Sequence, residues 1–359
     1  MTALPTLPTR PVVSEAPAGY AWWRFGRYSI LVHRRAWSSG FLLIAAMIIV
    51  SGISLASGAA GLSPWTALAA AIGQGEPMHV FLVQELRLQR LIAGLLTGAA
   101  LGVAGCLLQT LARNRLATPG IIGIDDGATA FAVASIVAIP TTLAPSALAL
   151  TGAATAAGLA FGLSGGAGAR GYRFIVVGIA VGALFGALTN LMLARTDMDS
   201  ANQAYPWTVG SLNARPAQAV WLLGIGLLAG LPVAKYLGRA LTLMRFSDSV
   251  ATGLGVPLKR MRVMTLLLTV FLTALAVAVV GPVGLIALAA PEVARYLVGH
   301  QGVPVFNAAL AGATLMSLAD WVGRTLMAPI EIPVGVIMAV IGGPYLLWIL
   351  LRPSARRAP

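Results

Sequence analysis

Stretches of about twenty apolar residues, broken only by short turns, follow one another along almost the whole chain, and they dictate what it can become. Each is long enough to cross a bilayer core of roughly 30 Å as a helix. In lipid every backbone N–H and C=O must find a partner inside the structure, which leaves helices or a closed barrel. Run length and the absence of strict alternation select helices. Charged residues make up 10% of the chain and hydrophobic ones 58%, against about 25% charged in a soluble domain. A water-soluble globule is excluded. The 41 glycines suit helices that meet backbone to backbone.

The pattern predicts an all-α polytopic membrane protein with ten spans, near 39–59, 88–111, 119–139, 141–163, 172–194, 217–238, 262–281, 284–299, 305–323 and 334–351. Residues 1–38 read as a cytoplasmic tail, Pro-rich and then basic and aromatic (Trp22, Trp23, Arg24, Arg27, Arg34, Arg35), too long for an ordinary cleaved leader of about 15–30 residues. The expected domain spans 39–352, and 353–359 form a basic tail. Between spans, 62–86 reads as a short surface helix and a loop. Residues 196–215 read as an external half-helix, and 244–258 as a polar cytoplasmic stretch with Ser247 as an N-cap.

Charge sets the orientation. With the N-terminus inside, the outer segments hold Arg87, Arg90, Arg195, Arg215 and Arg324, and the remaining 19 of the 24 Lys and Arg fall on the cytoplasmic side. That asymmetry places both termini in the cytoplasm. The net charge of +13 is thus spread over short loops, as in a multi-pass membrane protein, and does not form a nucleic-acid surface.

Several chemistries are missing. The lysines are Lys235 and Lys259, and neither ends a Gly-rich phosphate loop, so the chain does not hydrolyse ATP itself. His33, His79 and His300 are far apart, Cys106 stands alone, and no metal set forms. Asp320 and Arg324, and Glu292 and Arg295, have the spacing of local ion pairs. Asp125 and Asp126 fall at the start of span three, where a helix dipole accepts negative charge. A hydrated helix start and a proton site are both open for them.

Arg87-Leu88-Gln89-Arg90 marks a membrane–water boundary, since Arg in mid-membrane costs roughly 2.5–3.5 kcal/mol. It leads into Gly98-Ala99-Ala100-Leu101-Gly102-Val103-Ala104-Gly105, Gln109 and Arg113-Asn114-Arg115-Leu116-Ala117-Thr118-Pro119-Gly120. Further on stand Leu254-Gly255-Val256, Gly281-Pro282-Val283-Gly284, Pro291, Arg295, Ala319-Asp320, Glu331-Ile332-Pro333-Val334-Gly335 and Gly342-Gly343-Pro344. This ordered set resembles the permease subunits of type II ABC importers, which carry ferric siderophores, haem and cobalamin. The likeness covers about residues 40–352. Trp207-Thr208-Val209-Gly210-Ser211-Leu212-Asn213 is most similar to the ferric-enterobactin-type subunits of the siderophore branch.

The resemblance implies a transport subunit and not an enzyme, set in a bacterial inner membrane. It implies ten helices, a second permease subunit (a paralogue rather than an identical copy), two ABC ATPases that bind ATP and Mg, and an extracytoplasmic siderophore-binding protein. This chain itself would hold no cofactor. Arg87, Arg90 and Arg324 match the arginines that receive carboxylates of the binding protein. Residues 244–258 match the coupling helix in the ATPase cleft, through Ser247, Asp248, Ala251, Gly253, Leu254, Gly255 and Val256. Asn114, Leu116 and Tyr172 match the cytoplasmic gate. Gly178, Gly182 and Gly186, with Thr189 and Asn190, line the path or else pack a helix closely. Haem or cobalamin as cargo, and a gradient-driven carrier, are the alternatives. The chain departs from the family at Arg115, Thr118, Asp125-Asp126 and Glu292. A pairing of Arg115 with Asp125 or Glu292 would rebuild a gate latch.

Overall fold

A computed structural model describes residues 16–17, 19–25, 28–58, 61–138, 144–165, 172–299 and 302–351. The chain opens with an antiparallel hairpin of β1 (Tyr20–Phe25) and β2 (Tyr28–His33), with Tyr20 opposite His33. The sequence reading named no strand in this aromatic–basic stretch. Its alternating β-formers (Tyr, Trp, Ile, Val) favour a pleated ribbon instead. Residues 1–15 and 352–359 of the two expected tails lie outside the described residues.

Helix α1 (Arg34–Ala56) follows directly, five residues ahead of the expected span, because the His33 Nδ1 accepts from the Ala36 N–H and caps it. Then come α2 (Pro64–Ala71), α3 (Pro77–Phe81), a π-helical turn (Leu82–Leu88) and α4 (Gln89–Ala112). A 3₁₀ turn (Pro119–Ile122) leads into α5 (Ile124–Val137), followed by α6 (Pro145–Leu163), α7 (Tyr172–Arg195) and α8 (Met198–Val209). The chain continues as α9 (Ala217–Met244), the short α10 (Asp248–Gly253), α11 (Leu258–Val280), α12 (Gly284–Val298), α13 (Val305–Thr325) and α14 (Val334–Leu351).

Ten of these helices, α1, α4, α5, α6, α7, α9, α11, α12, α13 and α14, fall on the ten expected spans. Among the described residues seven are long and apolar enough to cross a membrane by themselves. The others are α5, α12 and α14, with 14, 15 and 18 residues. Span three is shorter than expected because Gly123, at φ +79°, breaks the 3₁₀ turn from α5.

Helix α4 is the spine. It touches α9, α11, α12 and α13, and every residue from Ala100 to Gln109 is buried. Its glycines bring backbones into contact. A Cβ on Gly98 would lie 2.2 Å from the Gly312 carbonyl oxygen, one on Gly102 2.2 Å from that of Ala308, and one on Gly105 would overlap the carbonyl of Ala287. Helices in membranes associate through such close approach, because lipid offers no hydrophobic drive between them. A second, smaller apolar cluster joins α5, α6, α8 and the flank of α11. At the seam, the C-terminal end of α8 meets the end of α11 and the start of α14: Ser211 N–H donates to Val280 O at 2.8 Å and Gly335 N–H to Gly210 O at 3.1 Å.

Candidate functional site

Two polar clusters stand at opposite ends of α4. At its N-terminal end the outer arginines converge on carboxylates. Arg90 Nε donates to Asp320 Oδ1 at 2.9 Å, and Arg90 Nη1 to Glu331 Oε2 at 2.7 Å. Arg324 Nε donates to the other oxygen of Asp320 at 3.1 Å, and its Nη2 to Ser54 Oγ at 2.6 Å. The expected i,i+4 pair of Asp320 and Arg324 is therefore present, but Asp320 also holds Arg90. The Asp320 side chain is 6% exposed and that of Glu331 46%.

Arg87 takes other partners than Arg90, although the two stand three residues apart in the chain. Leu88 closes a π-helical turn, which widens the rotation between the two, and Arg87 Nη1 caps the end of α1 at Leu55 O, 2.7 Å. A fourth guanidinium, Arg215, lies over the Trp207 ring at 4.3 Å and donates to Ser211 O. Burial, and then the neighbouring charge of Arg90, push it down to about 10. Sequence reading missed Glu331 and Arg215 as members of this cluster. Glu331 was visible as an acid in an outer segment that has few, within a motif already singled out.

At its C-terminal end, α4 stops at Arg113, which adopts a left-handed conformation at φ 50°. Its guanidinium reaches Asp248 at 3.2 Å, and Arg262 reaches the other oxygen of Asp248 at 2.6 Å. Ser247 caps α10 as expected, its Oγ accepting from Val250 N–H at 3.1 Å. Asp248, expected to face a partner, is thus engaged within the chain. Ala251 is fully buried and Val256 packs on the core, so both anchor α10. Leu254 (61% exposed), Gly253 and Gly255 project outwards, as do Val250 and Phe246, which sequence reading did not name.

Beside α10 lies a cavity of ≈ 870 Å³, lined among others by Asn114, Thr118, Phe174, Asp248, Lys259 and Arg262. Asn114 Oδ1 accepts from Leu116 N–H at 2.9 Å, which fixes the turn after α4. Tyr172 opens α7, and its side chain lies outside the described residues. In the turn after α4, Arg115 Nη1 pairs with Glu292 Oε1 at 2.9 Å. Glu292 also pairs with Arg295 at 2.9 Å, and Arg295 bonds Gln109. Of the two partners considered for Arg115, the chain uses Glu292. Asp125 and Asp126 lie in the first turn of α5, as their dipole preference required.

The glycine face of α7 is turned to the start of α5. A Cβ on Gly178 would lie 2.5 Å from Ile121 O, and one on Gly182 2.6 Å from Asp126 Oδ2. Gly178 and Gly182 therefore allow close packing within the chain. Gly186 is half-buried, Thr189 is buried with its hydroxyl on Phe185 O, and Asn190 is exposed.

The FecCD transport family model matches residues 43–352. The chain belongs to the FecCD transport family. It is 35% identical to the achromobactin transport system permease protein of Dickeya dadantii, across 92% of this chain and 96% of that one. It is 34% identical to the ferric enterobactin transport system permease protein of Escherichia coli, across 91% and 100%. It is 35% identical to the hemin transport system permease protein of Yersinia pestis, across 89% and 96%. A solved inward-facing metal-chelate type ABC transporter superposes with a TM-score of 0.77 at 26% identity, over 88% of this chain and 99% of that one. As a FecCD member the chain is a multi-span membrane permease subunit of an ABC importer and not an enzyme. Such a subunit works with ATPase and substrate-binding partners.

Proposed function

We propose that this FecCD permease carries a ferric siderophore inward. A loaded binding protein docks on the outer cluster of Arg87, Arg90 and Arg324. ATP and Mg act on two partner ATPases, and force enters through α10, where Leu254 and Val250 project. A second permease subunit, a paralogue, completes the path, with the exposed Asn190 on the side facing it. Both termini lie in the cytoplasm. The outer cluster steers and orients its partner.

One geometric fact carries this reading. The arginine cluster and α10 stand at the two ends of one helix of 24 residues, about 36 Å apart at 1.5 Å per residue. Docking and drive thus fall on opposite membrane faces. The Trp207–Asn213 segment favours a siderophore as cargo. The hemin relative favours the second reading, haem.

Reconstituted complexes should take up labelled ferric siderophore in preference to labelled haem or cobalamin, and only with ATP. Uptake that persists without the ATPase would point to a gradient-driven carrier. Preference for haem would overturn the cargo alone.

A further inference from the structure

Arg90 divides its donors between two unequal carboxylates. Nε goes to Asp320, which is buried on α13 and shared with Arg324. Nη1 goes to Glu331, nearly half exposed, on the irregular segment between α13 and α14. Asp320 is fixed by its helix and by two guanidiniums. Glu331 has one partner among the described residues and a short tether. Next to it in the chain, Met327 and Ile330 stand 59% and 68% exposed. An acidic side chain approaching Arg90 from outside meets a site already filled.

We propose that Glu331 is an internal stand-in for the carboxylate of the docking partner. In the undocked chain it holds Arg90 extended and neutralises it. On docking, an acidic side chain of the partner takes Nη1, Glu331 swings out, and the Met327–Ile330 segment moves with it against the partner. Asp320 stays in place and acts as the positioning residue for both Arg90 and Arg324. This inference rests on the docking reading given above. It adds that docking is an exchange of one carboxylate for another, so that Glu331 lowers affinity.

The test uses the full importer in lipid nanodiscs, with the acidic-faced binding protein titrated against it. Glu331→Gln keeps the size and removes the charge, so docking should tighten roughly two- to fivefold, the range of one exposed ion pair. It should also become more salt-sensitive, as the outer face gains a net positive charge. In an Arg90→Gln background the same substitution should tighten docking far less, leaving only the salt-sensitive gain from the lost negative charge. Glu331→Asp, which shortens the reach, should tighten docking to a smaller degree and guards against a folding defect in the first variant. Equal or weaker docking of Glu331→Gln, with Arg90→Gln still weakening it, overturns the stand-in alone. Docking indifferent to both Arg90→Gln and Arg324→Gln overturns the docking reading and this inference with it.

Discussion

Asp320 is a single buried carboxylate that holds two arginines from helices far apart in sequence. Its bond to Arg90 bridges 230 positions, while its bond to Arg324 is one helical turn away. Removing the charge leaves two guanidiniums, each about 11–12% exposed, without their shared acceptor. Breaking such a buried pair from one side is costly, because the remaining charge stays desolvated. Asp320→Asn should lower unfolding stability by about 2–4 kcal/mol, measured by thermal or denaturant unfolding in detergent. A variant as stable as the parent would mean that water already screens the cluster. The local half of this arrangement was legible in the sequence, because i,i+4 spacing is a property of one helix. The Arg90 half was not, since nothing in a linear pattern says which ends of α4 and α13 meet.

At the scale of elements, two helices make opposite demands on glycine. On α4 a methyl at position 98 would lie 2.2 Å from the Gly312 carbonyl and 2.7 Å from Met316 Cβ, whereas a methyl at position 158 on α6 meets nothing within 4 Å. Gly98→Ala should therefore cost roughly 1–3 kcal/mol or more. Gly158→Ala should be neutral or gain up to about 1 kcal/mol from helix propensity. Comparing their thermal transitions separates packing from propensity, and equal shifts would refute the tight α4–α13 crossing.

Helix α8 depends on its cap. The Ser200 N–H donates to Asp197 at 2.8 Å and holds that carboxyl below its ordinary value. A depressed value in the folded state means that the stabilisation is present above the unfolded value and is lost as pH falls through the folded one. The first turn of α8 should open in acid, below the usual carboxylate range, and Asp197→Ala should make its opening independent of pH there. Amide exchange at Ser200 reads this directly, and protection that persists through that range would count against the cap. Apolar run lengths placed the spans, and Asp197 stood visibly ahead of α8. The β1–β2 hairpin was lost because Trp and Arg side by side fit a headgroup belt as well as a strand.

For the whole molecule, the core falls into a rigid group around α4 and a second cluster of α5, α6 and α8 against α11. The turn after α4 is tied to α12 by the Arg115–Glu292 pair, and Glu292 to Arg295 and through it Gln109. That network ties α12 to the C-terminal end of α4 and to the turn after it, a contact that a shift between these helices would have to break. Arg115→Glu places two carboxylates together and should reduce uptake several-fold, with Arg115→Gln intermediate and both chains still eluting as folded complexes. Unchanged uptake would remove this pair from the transport cycle. Its existence was foreseeable from the two departures from family pattern at these positions; the choice of Glu292 over Asp125 depended on how the 3₁₀ turn and Gly123 re-aim the start of α5.

The glycines of α4, set against the backbones of α12 and α13, have a practical corollary. Because backbone there abuts backbone, no side chain can rotate to absorb displacement, and the three helices must travel together or not at all. Spectroscopic probes on α4 and α13 would thus report a constant separation during turnover, a built-in yardstick against which the excursions of α7 or α10 could be calibrated.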